Sequence, residues 1–323
     1  MASQKVSAKL EAAHNVGIWS LAFCGESRLL TGDLDGTLKY WSPNLGLIGG
    51  TRAQRHGITS VVASSSTATA TAAACFQDST IRFYHLHDNG IEEAKVYDEE
   101  KQAEVADVLV CGECGNMEAW SISLANDGLT LATGSNSGVV GLYSIESEGG
   151  GKREKIATLE SDQSSKLILS TNFSPSIENQ HLVCSSVDGS VMIFDVLNQQ
   201  LLTKLNHHSL PTRCVKFSPD GNLIYSASDD RHVCVYDTIS GTIVNSFSHA
   251  GMTFCVDAAR DHRHFVVGSA DNVVSLWDLG MQRCETTYNS HTDQVWGVGY
   301  DPKDDSGRRF VSVGDDSLIQ IYE

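Results

Sequence analysis

Short apolar runs alternate with clusters of Gly, Asp, Ser and Pro along almost the whole chain. These runs are rich in β-branched and aromatic residues, as in Ile18 to Phe23, Val233 to Tyr236 and Val295 to Tyr300. Short runs of this composition between turn-forming residues are typical of β-strands. No long amphipathic helical pattern accompanies them. The pattern therefore predicts an all-β fold built from many short strands.

The strand pattern recurs in seven units, each with a segment that ends in an aromatic residue. The aromatic positions are Trp41, Tyr84, Tyr143, Phe194, Tyr236, Trp277 and Tyr322, which are 41 to 59 residues apart. Six residues before the aromatic position stand Asp35, Asp78, Ser137, Asp188, Asp230, Asp271 and Asp316. In four units a His precedes the Asp by 21 to 25 residues: His14, His208, His249 and His291. Units of about 40–45 residues predict four-stranded blades arranged around an axis.

This pattern of His, Asp and aromatic residues resembles the WD-repeat family over practically the whole chain. The resemblance implies a single domain, a seven-bladed WD40 β-propeller. Its blades are expected at about 14–53, 54–104, 105–159, 160–205, 206–247, 248–288 and 289–323. The sequence ends directly after the third strand of the last blade. We therefore expect residues 5–11 to supply the fourth strand and to close the ring.

The resemblance also implies a buried hydrogen-bond network in which Asp accepts from His and His accepts from a strand hydroxyl. The predicted members are His14, Thr31, Asp35, Trp41, Asp78, Asp188, His208, Ser226, Asp230, His249, Asp271, Trp277, His291, Ser312 and Asp316. Because Ser, His and Asp recur once per unit, we interpret them as structural and not as a catalytic triad. The third and fourth units lack the His, and His56 stands nearer to its strand, so those blades should be held less tightly.

Composition narrows the function classes. The 323 residues carry a formal charge of −17, which disfavours binding to a phosphate backbone and favours basic partner segments. No apolar window is long enough for a membrane span. No phosphate-binding loop, zinc-protease helix or nucleophile elbow is found, so the sequence predicts no enzyme, cofactor or metal. Most of the nine cysteines lie in strand-like runs, and the pair Cys111 and Cys114 has no second pair at zinc-site spacing.

Two stretches exceed the repeat length, the acidic Ile91 to Asp107 and the Gly-rich Glu146 to Lys155. Both are predicted to be solvated loops, with a role as docking elements as the alternative.

The candidate functional positions stand at the start of each innermost strand, where family members line the mouth of the central channel. They are Trp19, Thr59, Trp120, Leu169, Arg213, Phe254 and Trp296. The turns with Asp33, Asp229 and Asp315 are expected on the same face and would make this mouth acidic. We interpret the mouth as a surface for an Arg-containing peptide. The alternative is that the aromatic residues only pack between blades.

A narrower resemblance rests mainly on the first and last blades, in Ile18-Trp19-Ser20, Gln294-Val295-Trp296-Gly297 and Val311 through Asp316. These segments look like the WD-repeat subunit of the superkiller (Ski) complex. The resemblance implies a scaffold that binds the tetratricopeptide subunit and the helicase of that complex, which feeds RNA to the exosome for mRNA decay, without binding nucleic acid itself. It also implies membership of the polymerase-associated factor complex in transcription elongation, and residence in the cytoplasm and nucleus.

Family members take peptides with Gln-Arg followed by an aromatic or large apolar residue on this face. Two rival interpretations remain, a histone-tail reader and a ubiquitin-ligase substrate receptor. Such receptors usually have Arg two residues after the Trp-Asp pair, whereas Leu279-Gly280 follows Trp277-Asp278 here.

Overall fold

The computed structural model describes residues 5–52, 55–64, 70–98, 103–111, 119–145, 153–160, 166–176, 180–304 and 306–323. All regular secondary structure in these ranges is β-strand. Seven blades surround a central channel, so the predicted all-β, seven-bladed propeller is confirmed. In the described part of the chain, no helix has the length and apolar character needed to cross a membrane.

Five blades are regular antiparallel sheets of four consecutive strands. The strands are numbered in chain order from β1 (Val6–Leu10), which belongs to the last blade. Blade one contains β2 (Ile18–Cys24), β3 (Arg28–Asp33), β4 (Thr37–Trp41) and β5 (Leu47–Arg52).

Blade two has an insertion in its outer edge. Its inner strands are β6 (Ile58–Ala63), β7 (Ala70–Phe76) and β8 (Thr80–His87). Two short strands share the outer position along β8, namely β9 (Gly90–Glu93) and β12 (Val108–Val110). Between them, β10 (Lys95–Asp98) and β11 (Ala103–Ala106) pair as a separate hairpin.

Two predictions for this region were wrong. The stretch from Ile91 to Asp107 is largely a strand hairpin and not a loop, and blade two extends past residue 104 because β12 pairs with β8. Arg153 holds the base of the hairpin. Its guanidinium donates to the Asp107 carboxylate and lies 3.6 Å from the centre of the Phe83 ring. In the other long stretch, residues 146–152 lie outside the described ranges.

Blades three to six follow the regular plan. Blade three contains β13 (Ser121–Leu124), β14 (Thr130–Gly134), β15 (Val140–Ser144) and β16 (Lys155–Leu159). Blade four contains β17 (Ile168–Phe173), β18 (His181–Ser186), β19 (Val191–Asp195) and β20 (Gln200–Leu205). Blade five contains β21 (Thr212–Phe217), β22 (Leu223–Ser228), β23 (His232–Asp237) and β24 (Ile243–Ser248). Blade six contains β25 (Thr253–Ala258), β26 (His264–Ser269), β27 (Val274–Asp278) and β28 (Arg283–Tyr288).

Blade seven joins the two ends of the chain. It contains β29 (Val295–Tyr300), β30 (Phe310–Gly314) and β31 (Ile319–Tyr322), and β1 pairs antiparallel with β31 as the fourth strand. Leu10 lies opposite Ile319, and the Lys5 and Glu323 backbones exchange two hydrogen bonds of 3.0 and 3.1 Å. The predicted closure by an N-terminal strand is therefore confirmed.

Apolar side chains from adjacent blades form the core. Between blades six and seven, the Phe310 ring stacks on Tyr322 at 4.4 Å, and Tyr288 lies 4.6 Å from Tyr322. All three rings are nearly inaccessible to solvent. Because each blade presents both faces to a neighbour, the core is continuous around the ring and fixes the positions of the innermost strands.

Polar side chains on the innermost strands also connect successive blades. Their oxygen atoms accept backbone N–H bonds from the next blade: Ser20 from Val61, Ser60 from Ile122, Ser121 from Thr171, Ser123 from Phe173, Ser170 from Val215, Asn172 from Phe217 and Asp257 from Tyr300. Blade seven has Gly297 and Gly299 at the corresponding positions, and Leu21 of blade one lies against both glycines.

Candidate functional site: buried networks and the channel mouth

The buried networks of blades five and seven have the same geometry. In blade five, His208 Nδ1 lies 2.9 Å from Asp230 Oδ2 and Nε2 lies 2.6 Å from Ser226 Oγ. In blade seven, His291 contacts Asp316 at 2.9 Å and Ser312 at 2.6 Å. The imidazole thus joins the turn after the second strand to the strand itself.

Blade one forms the network with a different Asp from the one predicted. His14 Nδ1 lies 2.7 Å from Asp33 Oδ2, and its Nε2 lies 2.7 Å from Thr31 Oγ1. The Trp41 indole N–H donates to the same hydroxyl at 2.8 Å. Asp33 also accepts two turn amides, whereas Asp35 is on the surface and pairs with Arg52 at 2.6 Å.

Two assignments made from the sequence were therefore wrong. Asp33 is 1% exposed and belongs to the network and not to the channel mouth, and Asp35 is not a network residue. Asp33 takes the network position because, from the end of β3, its carboxylate contacts His14 and the turn amides at the same time.

Blade six has the His, Asp and Trp of a network but lacks the strand hydroxyl that would join them. Val267 occupies the strand position that Thr31 has in blade one, as shown by its pairing with Val256 where Thr31 pairs with Leu21. The His249 and Trp277 rings lie 4.9 Å apart. Both His249 Nε2 and Trp277 Nε1 are buried without a hydrogen-bond partner. Asp271 instead accepts a bond from Ser269.

In blades two and four the predicted Asp residues organise their own turns. Asp78 accepts from the amide and the hydroxyl of Thr80, and Asp188 does the same with Ser190. His56 of blade two is exposed.

Burial determines the protonation of these networks. It lowers the pKa of His14 and of His208, although the neighbouring carboxylates act in the opposite direction. Burial raises the pKa of Asp230, but the hydrogen bonds from His208 and the backbone outweigh it, so this pKa lies below its ordinary value. The neutral imidazole donates from Nδ1 and accepts at Nε2. Since Ser226 and Ser312 are fully buried, no substrate can reach them, and this geometry is structural.

The structure brings all seven predicted mouth positions together. Trp19, Thr59, Trp120, Leu169, Arg213, Phe254 and Trp296 line one cavity of about 370 Å³ at one end of the central channel. The reason is that each stands at the start of an innermost strand, and the ring places equivalent positions of all blades around the same axis.

Four of these side chains form a continuous stack, which we call the aromatic platform: Trp19, Trp296, Phe254 and Arg213. The Trp19 and Trp296 rings are 4.8 Å apart, and those of Trp296 and Phe254 are 4.4 Å apart and nearly parallel. The Arg213 guanidinium lies 5.8 Å from the Phe254 ring centre. The two tryptophans are half-buried, whereas Phe254 is 8% exposed and mainly supports Trp296.

Two carboxylates hold the platform. Asp315 accepts the Trp19 indole N–H at 3.0 Å and that of Trp296 at 2.8 Å. Asp229 binds Arg213 with two oxygen atoms, at 2.9 and 2.7 Å. With Asp33 buried and Asp229 paired, the mouth is less acidic than the sequence predicted. Sequence reasoning missed that Asp315 and Asp229 position other side chains, because the sequence does not show which side chains each carboxylate contacts.

The described cysteines are free thiols, and one group of possible metal ligands is found among the described residues. Burial raises the pKa of the Cys24 and Cys75 thiols to about 12. Cys111 is buried, and Cys114 lies outside the described ranges. Ligand atoms of His264, Asp278 and Glu285 lie within 4.8 Å of one another on blade six. The Arg263 guanidinium already donates to the Asp278 carboxylate, so an Arg and not a metal ion balances the charge of Asp278.

Comparison with known proteins identifies the family. A model described as "WD domain, G-beta repeat" matches residues 5–42, 199–237, 241–278 and 282–323. The chain is also 31% identical over 322 residues to WD repeat-containing protein SL1-17 of Schistosoma mansoni, covering 96% of each. The chain belongs to the WD-repeat protein family.

Other relatives match smaller parts of the chain. WD repeat-containing protein VIP3 of Arabidopsis thaliana is 32% identical over 236 residues, which cover 67% of this chain and 65% of VIP3. Eukaryotic translation initiation factor 3 subunit I of Pyricularia oryzae is 35% identical over 110 residues, covering 34% of this chain and 31% of that protein. The first matched WD repeat, 5–42, contains β1 together with the first three strands of blade one. A repeat thus spans two blades, and this offset closes the ring.

Proposed function

We propose that the protein is a non-enzymatic WD-repeat scaffold whose aromatic platform receives a short basic and aromatic segment of a partner. We further propose that it is the WD-repeat subunit of the superkiller complex, supporting exosome-mediated mRNA decay, and that it joins the polymerase-associated factor complex in transcription elongation. Its partners would be the tetratricopeptide scaffold and the helicase, and it would reside in the cytoplasm and nucleus.

The observation that carries the proposal is the stack of Trp19, Trp296, Phe254 and Arg213 at one channel mouth. Blade packing does not require an aromatic residue at this position of a blade, since Thr59 and Leu169 occupy the equivalent positions of blades two and four. The platform is also fixed in advance by Asp315 and Asp229, which reduces the entropy lost on binding. Trp and Arg are the residue types that most often dominate binding energy at interfaces.

The chemistry of the mouth favours a cationic and apolar ligand. Trp19 and Trp120 are half-buried at the channel mouth, and indole rings interact favourably with a guanidinium. Asp315 supplies a carboxylate at the same place. A peptide containing Gln-Arg followed by an aromatic residue would use both features.

Affinity purification followed by mass spectrometry tests the assignment to a complex. We expect superkiller subunits to dominate the cytoplasmic fraction and polymerase-associated factor subunits the nuclear fraction. A matched Trp19→Ala, Trp296→Ala double variant should lose these partners while remaining folded. Dominance of nucleosomes or of ubiquitin-ligase subunits would instead support one of the rival interpretations.

Binding of a Gln-Arg-x-x-aromatic peptide tests the platform directly. Trp296→Ala should cost about 2 kcal/mol or more of binding free energy, roughly a thirtyfold loss, because a central anchor is removed. Isothermal titration measures the loss, and a thermal melt checks the fold. Ile239→Ala is the control, because this 91% exposed residue lies in the turn at the opposite end of β23 from Asp229. Unchanged affinity in folded Trp296→Ala would move the site away from the channel mouth.

A further inference from the structure

The aromatic platform lies across the junction at which the ring closes. Trp19 begins blade one, and Trp296 begins blade seven. Their rings stack at 4.8 Å, so the platform crosses from the last blade to the first at this contact. An opening between these blades would separate the two indoles.

This junction differs from most others near the channel. At five of the other six junctions, hydroxyl, amide or carboxylate oxygens of an innermost strand accept N–H bonds from the next blade, as Ser20 and Asp257 do. Between blades five and six, the Cys214 thiol donates to the Val256 carbonyl. Gly297 and Gly299 have no side chain that could accept such a bond. Leu21 fills the space beside them, and a Cβ on Gly299 would lie 2.8 Å from it. At this junction, therefore, the inner strands are joined by apolar contact.

Asp315 provides the polar connection that the glycines do not. It belongs to blade seven, yet it accepts the indole N–H of Trp19 in blade one as well as that of Trp296. The approach is close enough that a Cβ on Gly17 would lie 2.3 Å from Asp315 Oδ1. Farther from the axis, Ser27 donates to Asp301 at 2.9 Å, and β1 pairs with β31.

We infer that Asp315 is the positioning residue that couples partner docking to closure of the ring. It holds the two indoles in one platform only when blades one and seven are in contact. A ligand that binds both indoles therefore stabilises the closed junction, and the closed junction in turn favours the ligand, because coupling between two equilibria is reciprocal. This inference rests on the proposed function for the identity of the ligand.

The stacked indoles provide a signal for the junction. Two indoles in contact give a coupled circular-dichroism band that disappears when they separate. During heating of the full-length protein, we expect this band to disappear at a lower temperature than the β-sheet signal. Trp19→Phe identifies the band, because it removes one member of the pair and keeps an aromatic ring.

Asp315→Asn and Asp229→Asn form the matched pair of variants. Asp315→Asn leaves one indole N–H without an acceptor, so the coupled band should disappear several degrees earlier and the affinity for the Gln-Arg-x-x-aromatic peptide should fall about tenfold. Part of the loss should persist at high salt, because salt screens the attraction between Asp315 and the peptide Arg but does not restore the lost indole acceptor. Asp229→Asn affects only the Arg213 end and should leave the temperature of band loss unchanged.

A further experiment with the peptide distinguishes failure of this inference from failure of the proposed function. Leu10→Ala is a full-length variant with a weakened β1. In this variant, saturating peptide should raise the temperature at which the coupled band disappears more than the temperature at which the β-sheet signal disappears. Peptide binding without such a shift would overturn the coupling and leave the proposed function standing. If the peptide does not bind, the proposed function fails, and the inference is judged by the two Asp variants without peptide. Equal behaviour of those variants, or simultaneous loss of band and β-sheet signal, would overturn it.

Discussion

One hydroxyl on the second strand decides whether a blade completes its buried network. Thr31, Ser226 and Ser312 each bond the imidazole Nε2 of their blade. Val267 has nearly the same shape as Thr but lacks the hydroxyl, so His249 and Trp277 keep polar atoms without partners. The blades therefore differ in whether their buried polar atoms have hydrogen-bond partners, although their backbones are alike.

Val267→Thr should stabilise the protein. The new hydroxyl can accept from Trp277 and donate to His249, as Thr31 does with Trp41 and His14. We expect about 1 kcal/mol or more of added free energy of unfolding, measured by denaturant titration. Val266→Thr is the control, because it places a hydroxyl on the opposite face of the same buried strand and should destabilise. Destabilisation by both substitutions would contradict this account of blade six.

The two Asp residues of blade one should respond differently to truncation. Asp33→Ala leaves His14 and two turn amides without their acceptor in a buried place, which should cost about 1–3 kcal/mol. Asp35→Ala removes only a surface ion pair with Arg52, worth about 0–1 kcal/mol. Chemical denaturation of both variants measures the difference. A larger loss for Asp35→Ala would restore the assignment made from the sequence.

At the scale of the strand, regular spacing made most of the fold predictable. The run from Val295 to Tyr300 coincides with β29, and β1 lies within the predicted 5–11 segment. The alternation of apolar and polar residues did not predict the strands in the insertion of blade two. Glu92 and Glu93 are adjacent in β9, so acidic side chains lie on both faces of that strand and the hydrophobic period is lost. The outer strand is divided between β9 and β12.

The candidate site was predictable in part for the same reason. Equivalent repeat positions must meet around a ring, which is why Trp19 and Trp296 could be placed together from the sequence. Which carboxylate serves which partner could not be predicted. Asp33 and Asp35 are two residues apart on one turn, and only the direction of each side chain distinguishes their roles.

Removing β1 tests the closure of the ring. Deletion of residues 1–11 exposes the edge of β31 and uncovers apolar partners such as Ile319 and Ile321, so the melting temperature should fall markedly. Deletion of residues 1–4 alone retains β1 and is the control. Differential scanning calorimetry compares the two. A cooperative melt of the longer deletion at the full-length temperature would show that β1 does not support the last blade.

At the scale of the whole molecule, histidines of lowered pKa in three blades make stability depend on pH. Burial lowers the pKa of His14 and His208 and brings that of His249 to about 4. Histidine in an unfolded chain has a pKa of about 6.5. Between these values the unfolded state binds more protons than the folded state, so the free energy of unfolding decreases as the pH falls.

We therefore expect the melting temperature to decrease steadily from about pH 7 to pH 4.5, where the unfolded chain takes up protons that the folded protein excludes. His249→Gln should make this decrease less steep, because Gln does not titrate. Thermal melts across the range measure both slopes. His56→Gln, the same substitution at an exposed site, is the control. Identical slopes for His249→Gln and the unaltered protein would refute this origin.

The pairing of β1 with β31 also determines the order of folding. The Ser7 hydroxyl bonds the carbonyl of Ile321, a residue 314 positions away. Contacts this distant in sequence form slowly, because a long loop must close before they contribute any stability. During synthesis β1 leaves the ribosome before the other described strands of the propeller, and its partner β31 leaves after them. Of these strands, the first to be made is therefore the last to be paired, and until then its free edge is available to chaperones and to other unfolded chains.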